Sequence, residues 1–263
     1  MIRRYSLAAL AGLILFSTQP AMARTGDNVR LAIELYPPFA YHQPDGKLDG
    51  FEVELGNLLC ERAQLNCSWV EQTWDGMIPG LLARKYDAIL SSLSITTERS
   101  RQVLFSRPYY NTPHVWVVAK DSKLSPDDVA ATKGKSLGVQ RGTTRDYYLT
   151  KMYGDTNTIR RYASEQEISN DLESGRLDAA LVDYTTGVQT FKLTMPDSRY
   201  RQAGAGLTKP VEIFGPGIGM AFRPRDKALA DKFNAAIDDA YKDGSFQKLM
   251  HKYINYDISI HND

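Results

Sequence analysis

What most constrains this chain is an alternation. Short apolar runs that read as strands take turns with segments whose apolar residues recur at helical spacing. Residues 29–33 read as a strand, Phe51, Leu55, Leu58 and Leu59 as one helical face running to Cys60, and residues 67–70 as the next strand. Met77, Ile78, Leu81 and Leu82 then form a second helical face before a strand at 88–90. Parallel neighbours need long crossovers, and helices of this length supply them. The order predicts an α/β fold on a mainly parallel sheet covered on both faces, with loops at the strands' C-terminal ends free to meet a ligand. Pro37 and Pro38 end regular pairing and leave Glu34 and Tyr36 at such an edge, which Trp74 and the serines at 91, 92 and 94 would share.

One unit occurs twice. Residues 83–90 (ARKYDAIL) and 174–181 (SGRLDAAL) each read as helix end, basic turn, Asp-Ala and strand, a short echo that points to a second lobe. Ser91 and Ser92 follow the first copy, Val182 and Asp183 the second. Strands at 115–119 and 135–139 belong to the second lobe, and a late strand at 218–222 precedes an amphipathic helix at 226–243 and another at 245–253. Crossings between lobes are expected at 109–113 and near the glycine-rich 204–206. The expected organisation is residues 1–23 as a leader, 24–111 with 205–263 as lobe 1, and 112–204 as lobe 2.

The leader is read from Arg3 and Arg4, the apolar stretch 7–16 and the small-x-small pattern at 21–23, which predict export and cleavage after Ala23. Its removal turns the formal net charge of +1 into one net negative charge. Such a balance gives no electrostatic footprint for nucleic acid, and no later run approaches the roughly 18 apolar residues of a membrane span. In an exported chain the two cysteines, Cys60 and Cys67, are expected to form a disulfide that stabilises by roughly 2 to 3 kcal/mol, a structural role because the spacing is not that of a redox CxxC. His42, His114, His251 and His261 match no metal-ligand spacing, and no phosphate-binding G-x-x-x-x-G-K motif is present. Neither metal nor cofactor is expected.

Two stretches could hold an anion. After the strand at 88–90 come three serines and two threonines, then Glu98 and Arg99, where hydroxyls, free N–H groups and a guanidinium could grip a carboxylate. Gln140, Arg141, Gly142, Thr143 and Thr144 form a glycine turn with a threonine at a helix N-cap. Each also reads as an ordinary serine-rich or capped turn.

Together the leader, the two α/β lobes and the segments 49–55 (DGFEVEL), 89–96 (ILSSLSIT) and 142–144 (GTT) resemble the polar amino-acid-binding proteins of bacterial ABC importers. The resemblance spans essentially the whole chain after the leader. Within that family it is similar to the lysine/arginine/ornithine- and histidine-binding proteins, which have the spacing of Cys60 and Cys67, while 71–76 (EQTWDG) shares features with opine-binding relatives. It implies a two-lobed periplasmic-binding-protein fold of type II, a monomer that closes on an amino acid and delivers it to a permease and ATPase in the inner membrane. Carried onto this sequence, Arg99 grips the α-carboxylate with Ser94, Thr143 and Thr144, and Asp183 holds the α-ammonium with Ser92. Tyr36 and Trp74 flank the ligand side chain beside Ser91 and Gln140, and Glu34 and Glu52 lie at or near positions where binders of cationic ligands place acids.

Two departures keep the ligand open. The segment before Tyr36 is one residue shorter than the histidine-binding pattern, so Glu34 need not face the pocket. Arg145 stands where relatives often have glutamine, and it would either face outward or favour a ligand with a second carboxylate, such as an opine. A rival of another class is a periplasmic dehydratase of the cyclohexadienyl type on the same scaffold, and a sensory module would use the same closed form.

Overall fold

The computed structural model describes residues 27–260, so the leader lies outside the described residues. In chain order come β1 (Asn28–Ile33), a small hairpin of β2 (Tyr41–His42) and β3 (Leu48–Asp49), α1 (Phe51–Arg62), β4 (Asn66–Glu71), α2 (Met77–Leu82), β5 (Ala88–Ile89), α3 (Thr97–Ser100) and β6 (Leu104–Phe105). A second group follows: β7 (His114–Ala119), β8 (Ser136–Gln140), α4 (Thr144–Tyr153), β9 (Thr158–Tyr162), α5 (Glu165–Glu173), β10 (Ala179–Asp183), α6 (Tyr184–Thr190) and β11 (Tyr200–Leu207). The chain then returns through α7 (Val211–Phe214), β12 (Ala221–Phe222), α8 (Lys227–Lys242) and α9 (Ser245–Tyr253).

Two five-stranded sheets result, ordered β4-β1-β5-β12-β6 and β11-β7-β10-β8-β9. Pairs joined through helices, β1 with β4 and β5, and β8 with β9 and β10, are parallel as the alternation predicts. Pairs formed where the chain changes lobe are antiparallel: β12 between β5 and β6, and β7 between β10 and β11. β11 continues to Leu207, which pairs with His114, while regular pairing in β5 stops at Ile89 and in the late strand covers only Ala221 and Phe222.

Each lobe has its own core. In the first, α1, α8 and α9 bury Phe51, Leu55, Leu59, Phe233, Ile237 and Phe246 against Leu31, Leu90 and Phe222. The amphipathic helix expected at 226–243 forms much of this surface, with Phe233, Ala236, Ile237 and Ala240 buried. Cys60 and Cys67 are disulfide-bonded and tie the end of α1 to β4. In the second, Trp116 lies edge-on to Tyr153 at 5.4 Å above Leu137, Val139 and Leu181. The two crossings run side by side: Tyr109 N–H donates to Ile218 O at 2.9 Å, and Ile218 N–H donates to Tyr110 O at 2.8 Å. This ribbon joins the lobes beneath the cleft. Among the described residues, no helix is long and apolar enough to cross a membrane.

Candidate ligand-binding site

The C-terminal ends of β1, β5, β8 and β10 converge on one cavity between the lobes. Its wall contains Glu34, Tyr36, Trp74, Ser91, Ser92, Ser94 and Arg99 from the first lobe, with Gln140, Thr143, Thr144 and Asp183 facing them. The lobes touch across it. Arg99 Nη2 donates to Gly142 O at 3.3 Å, Gln140 Nε2 donates to both Glu34 oxygens at 3.2 and 3.3 Å, Arg141 pairs with Asp75, and the Thr185 and Tyr256 hydroxyls share a hydrogen bond. The free space in this closed form is about 30 Å³, room for about one or two waters. An amino acid can enter only when the lobes part.

At one end, Arg99 sits in the single turn of α3, whose N-cap Thr96 accepts from Arg99 N–H at 3.2 Å. Its guanidinium donates to Ser94 O at 3.0 Å and lies 5.3 Å from the centre of the Trp74 ring. Among the described residues no carboxylate forms an ion pair with it. Burial, and then the charge of Arg145, bring its pKa down to about 10. Thr143 caps α4, its hydroxyl accepting from Asp146 N–H at 3.2 Å and donating to Gln140 O at 2.8 Å, so what it offers an anion is the start of the helix rather than a free hydroxyl. Gly142 at φ +68° supplies the left-handed turn that carries its carbonyl to Arg99. Asp183, the last residue of β10, accepts from Thr185 N–H at 2.8 Å and from the Thr112 hydroxyl. Burial raises its pKa against these bonds.

Ser92 has φ +49°, unusual for a residue with a side chain. Glu52 explains how that conformation is held. Its buried carboxylate accepts from Ser92 N–H at 2.9 Å, Ser92 Oγ at 3.1 Å, Tyr109 Oη at 2.9 Å and Tyr110 Oη at 3.0 Å. Glu52 therefore stands behind the binding loop and not on the cavity wall, because the first turn of α1 packs beneath the end of β5. Ser91 also braces the loop, since its hydroxyl accepts from Glu34 N–H at 2.9 Å and ties two strand ends together.

The other end of the cavity is acidic and basic together. Glu34 faces inward despite the shortened segment, accepting from Trp74 N–H at 3.2 Å and from Gln140, and burial pushes its pKa up to about 7. Tyr36 stacks on Phe39 at 5.3 Å, and Phe39 on Tyr110 at 5.6 Å. Arg145 is buried in the wall, not turned outward, and its Nη2 donates to Glu165 Oε1 at 2.8 Å. Glu165, also buried, has its pKa pushed up to about 7 by that burial. Sequence reasoning passed over Glu165, Thr112 and Ile218 as site residues and read His114 as a surface or loop histidine, whereas it is buried in the cavity wall. His114 is buried beside Phe214 at 4.6 Å, and burial holds its pKa well below the ordinary histidine value. Thr112 lies within the expected crossing and His114 just after it, and that position was the one available signal for them.

A cleft between two hinged α/β lobes, lined from both sides by groups that complement a zwitterion, defines a solute-binding protein of the two-lobed type II fold. The chain belongs to the bacterial extracellular solute-binding proteins, family 3, which it matches over residues 29–256. It is 43% identical over 253 residues to the L-arginine-binding protein of Pseudomonas aeruginosa, covering 95% of this chain and 97% of that one. It is 34% identical over 256 residues to the lysine/arginine/ornithine-binding periplasmic protein of Escherichia coli, covering 96% and 98%. Among solved structures, an ancestral arginine-binding protein bound to arginine superposes with a TM-score of 0.79 at 28% identity, covering 88% of this chain and 99% of that one.

Proposed function

We propose that this protein is exported to the periplasm, loses its leader after Ala23, and captures an amino acid with a cationic side chain, arginine first, for hand-over to an ABC permease and its ATPase. The observation that carries the reading is a charge count. Glu34 and Asp183 line the cleft with Arg99 and Arg145, and Glu165 pairs with Arg145 from an adjoining cavity, so in their ionised forms three carboxylates stand against two guanidiniums. One negative charge is left over. A buried charge without a counter-charge costs several kcal/mol, so a ligand carrying one net positive charge is the complement.

In this reading Arg99 takes the α-carboxylate with the Ser94 segment and the start of α4, and Asp183 takes the α-ammonium with Ser92. Tyr36, Trp74, Ser91 and Gln140 surround the aliphatic stem, and Glu34 faces its cationic tip. Closure needs no bond to break: the ligand touches both lobes at once, stabilises the closed form by its differential affinity, and the permease reads that shape. The names of the relatives agree in direction, since they are binding proteins of arginine and related amino acids.

Calorimetric titration of the mature protein, refolded free of carried-over ligand, tests this against arginine, ornithine, lysine, histidine, glutamine, octopine and nopaline. Tight one-to-one binding of a basic amino acid is expected. A response to opines alone, or to glutamine above arginine, overturns the assignment.

A further inference from the structure

The Arg145 and Glu165 pair enters the charge count above but has no assigned ligand contact, and it is built unlike a structural ion pair. Arg145 opens the first turn of α4 and Glu165 that of α5, with side chains 9% and 7% exposed. One contact joins them, Nη2 to Oε1 at 2.8 Å, while Arg145 Nε and Glu165 Oε2 are buried with no hydrogen-bond partner among the described residues. A buried pair repays its desolvation only when the remaining donors and acceptors are met, so this one is a poor stabiliser. Its position is informative. Arg145 lines the ligand cavity, and Glu165 lines an adjoining cavity that shares Glu34, Tyr36 and Gln140 with the first. The fixed positive charge of Arg145 therefore sits in the same wall as Glu34, the acid assigned to the ligand's cationic tip, and as Asp183.

We infer that Glu165 determines side-chain specificity through Arg145: by compensating that guanidinium it permits a cationic ligand at Glu34, and without it Arg145 selects a neutral or acidic side chain. The inference rests on the cationic-ligand reading above. Glu165 need not touch the ligand for this; it is a positioning and charge-compensating residue. In a buried cleft the repulsion between an uncompensated Arg145 and a ligand cation corresponds to about ten- to a hundredfold in affinity.

The test is calorimetry on the wild type, E165Q, R145Q and the E165Q/R145Q double variant with L-arginine, L-glutamine and L-glutamate. E165Q is expected to lose about tenfold or more for arginine, hold glutamine within about threefold, and gain for glutamate. The double variant, with neither charge, is expected to return arginine to within about threefold of wild type. Equal losses for arginine and glutamine in E165Q, or no recovery in the double variant, would overturn the inference. A wild type that prefers glutamine or glutamate sinks the proposed function instead, and the change in arginine-to-glutamine ratio between wild type and E165Q still reads the role of Glu165. If E165Q does not fold, R145Q carries the test with opposite sign: the preference for arginine over glutamine must rise, and an unchanged or lower ratio overturns the inference.

Discussion

Arg99 and Asp183 approach the cleft from opposite lobes, each hydrogen-bonded by neutral groups, a carbonyl on either side of Arg99 and a hydroxyl and an amide on Asp183, while the charge of Arg145 acts on both. Glu34, Arg145 and Glu165 form a second group, in which one guanidinium already answers one carboxylate. The first group fixes geometry and leaves its charges to be met by the ligand, which is what recognition of the part common to all amino acids requires. The second group sets two carboxylates against one guanidinium, so its preference depends on the difference among opposing fields. Removing a residue from the first group should abolish binding, whereas removing one from the second should redirect it.

The largest effect should come from Arg99→Ala, which leaves an α-carboxylate in the closed cleft without its counter-charge. Calorimetry should show arginine affinity reduced by about a thousandfold or more, with the protein still folded because the Arg99 side chain bonds loop carbonyls and stacks on Trp74 at the cleft. Retained affinity would move the carboxylate site elsewhere. Asp183→Asn should cost arginine about a hundredfold while a des-amino analogue of arginine, lacking the α-ammonium, loses far less. Equal losses would mean that Asp183 is a scaffold residue for Thr112 and Thr185.

Smaller changes should follow in the second group. Glu34→Gln should weaken arginine by about tenfold and leave glutamine nearly unaffected. It should also change the pH response. Burial pushes Glu34 and Glu165 up to about 7, so both are partly protonated near neutral pH, whereas a cationic ligand binds their ionised forms. Binding therefore expels protons, and arginine affinity should fall as pH drops from 8 to 6, by up to about tenfold per unit for each proton released. Titrations across that range should show a shallower slope in Glu34→Gln, and a flat wild-type profile would show that neither acid faces the ligand's charge. Smallest for binding is the double replacement of Cys60 and Cys67 by serine. Denaturant melts should show a loss of roughly 2 to 3 kcal/mol with affinity unchanged, since the disulfide joins α1 and β4 within the first lobe.

The residues at strand ends were legible because the pattern that marks a strand also marks where it stops. Ser91, Ser92 and Ser94 follow the apolar run of β5, Gln140 closes β8, and Asp183 ends β10, so fold and site came from one signal. Glu52 could be placed near the site but not on the correct side of the loop, since only the packing of α1 under β5 turns its carboxylate toward Ser92 and the two tyrosines. Glu165 carried no usable mark. Ser164 caps α5 and Glu165 begins it, an arrangement that reads as routine helix initiation.

What the sequence by itself determined is local: the alternation of strand and helix, the buried faces of α1 and α8, and the threonine cap of α4. Each depends on residues a few positions apart, where period and hydrogen-bonding preference act directly. Tertiary structure alone decided that β7 and β12 run against their neighbours, that Glu34 meets Gln140 across the cleft, and that Arg145 is answered by Glu165. Those outcomes depend on groups brought together by two crossings and then removed from water, and the strength of a charge is set by that burial rather than by its place in the chain.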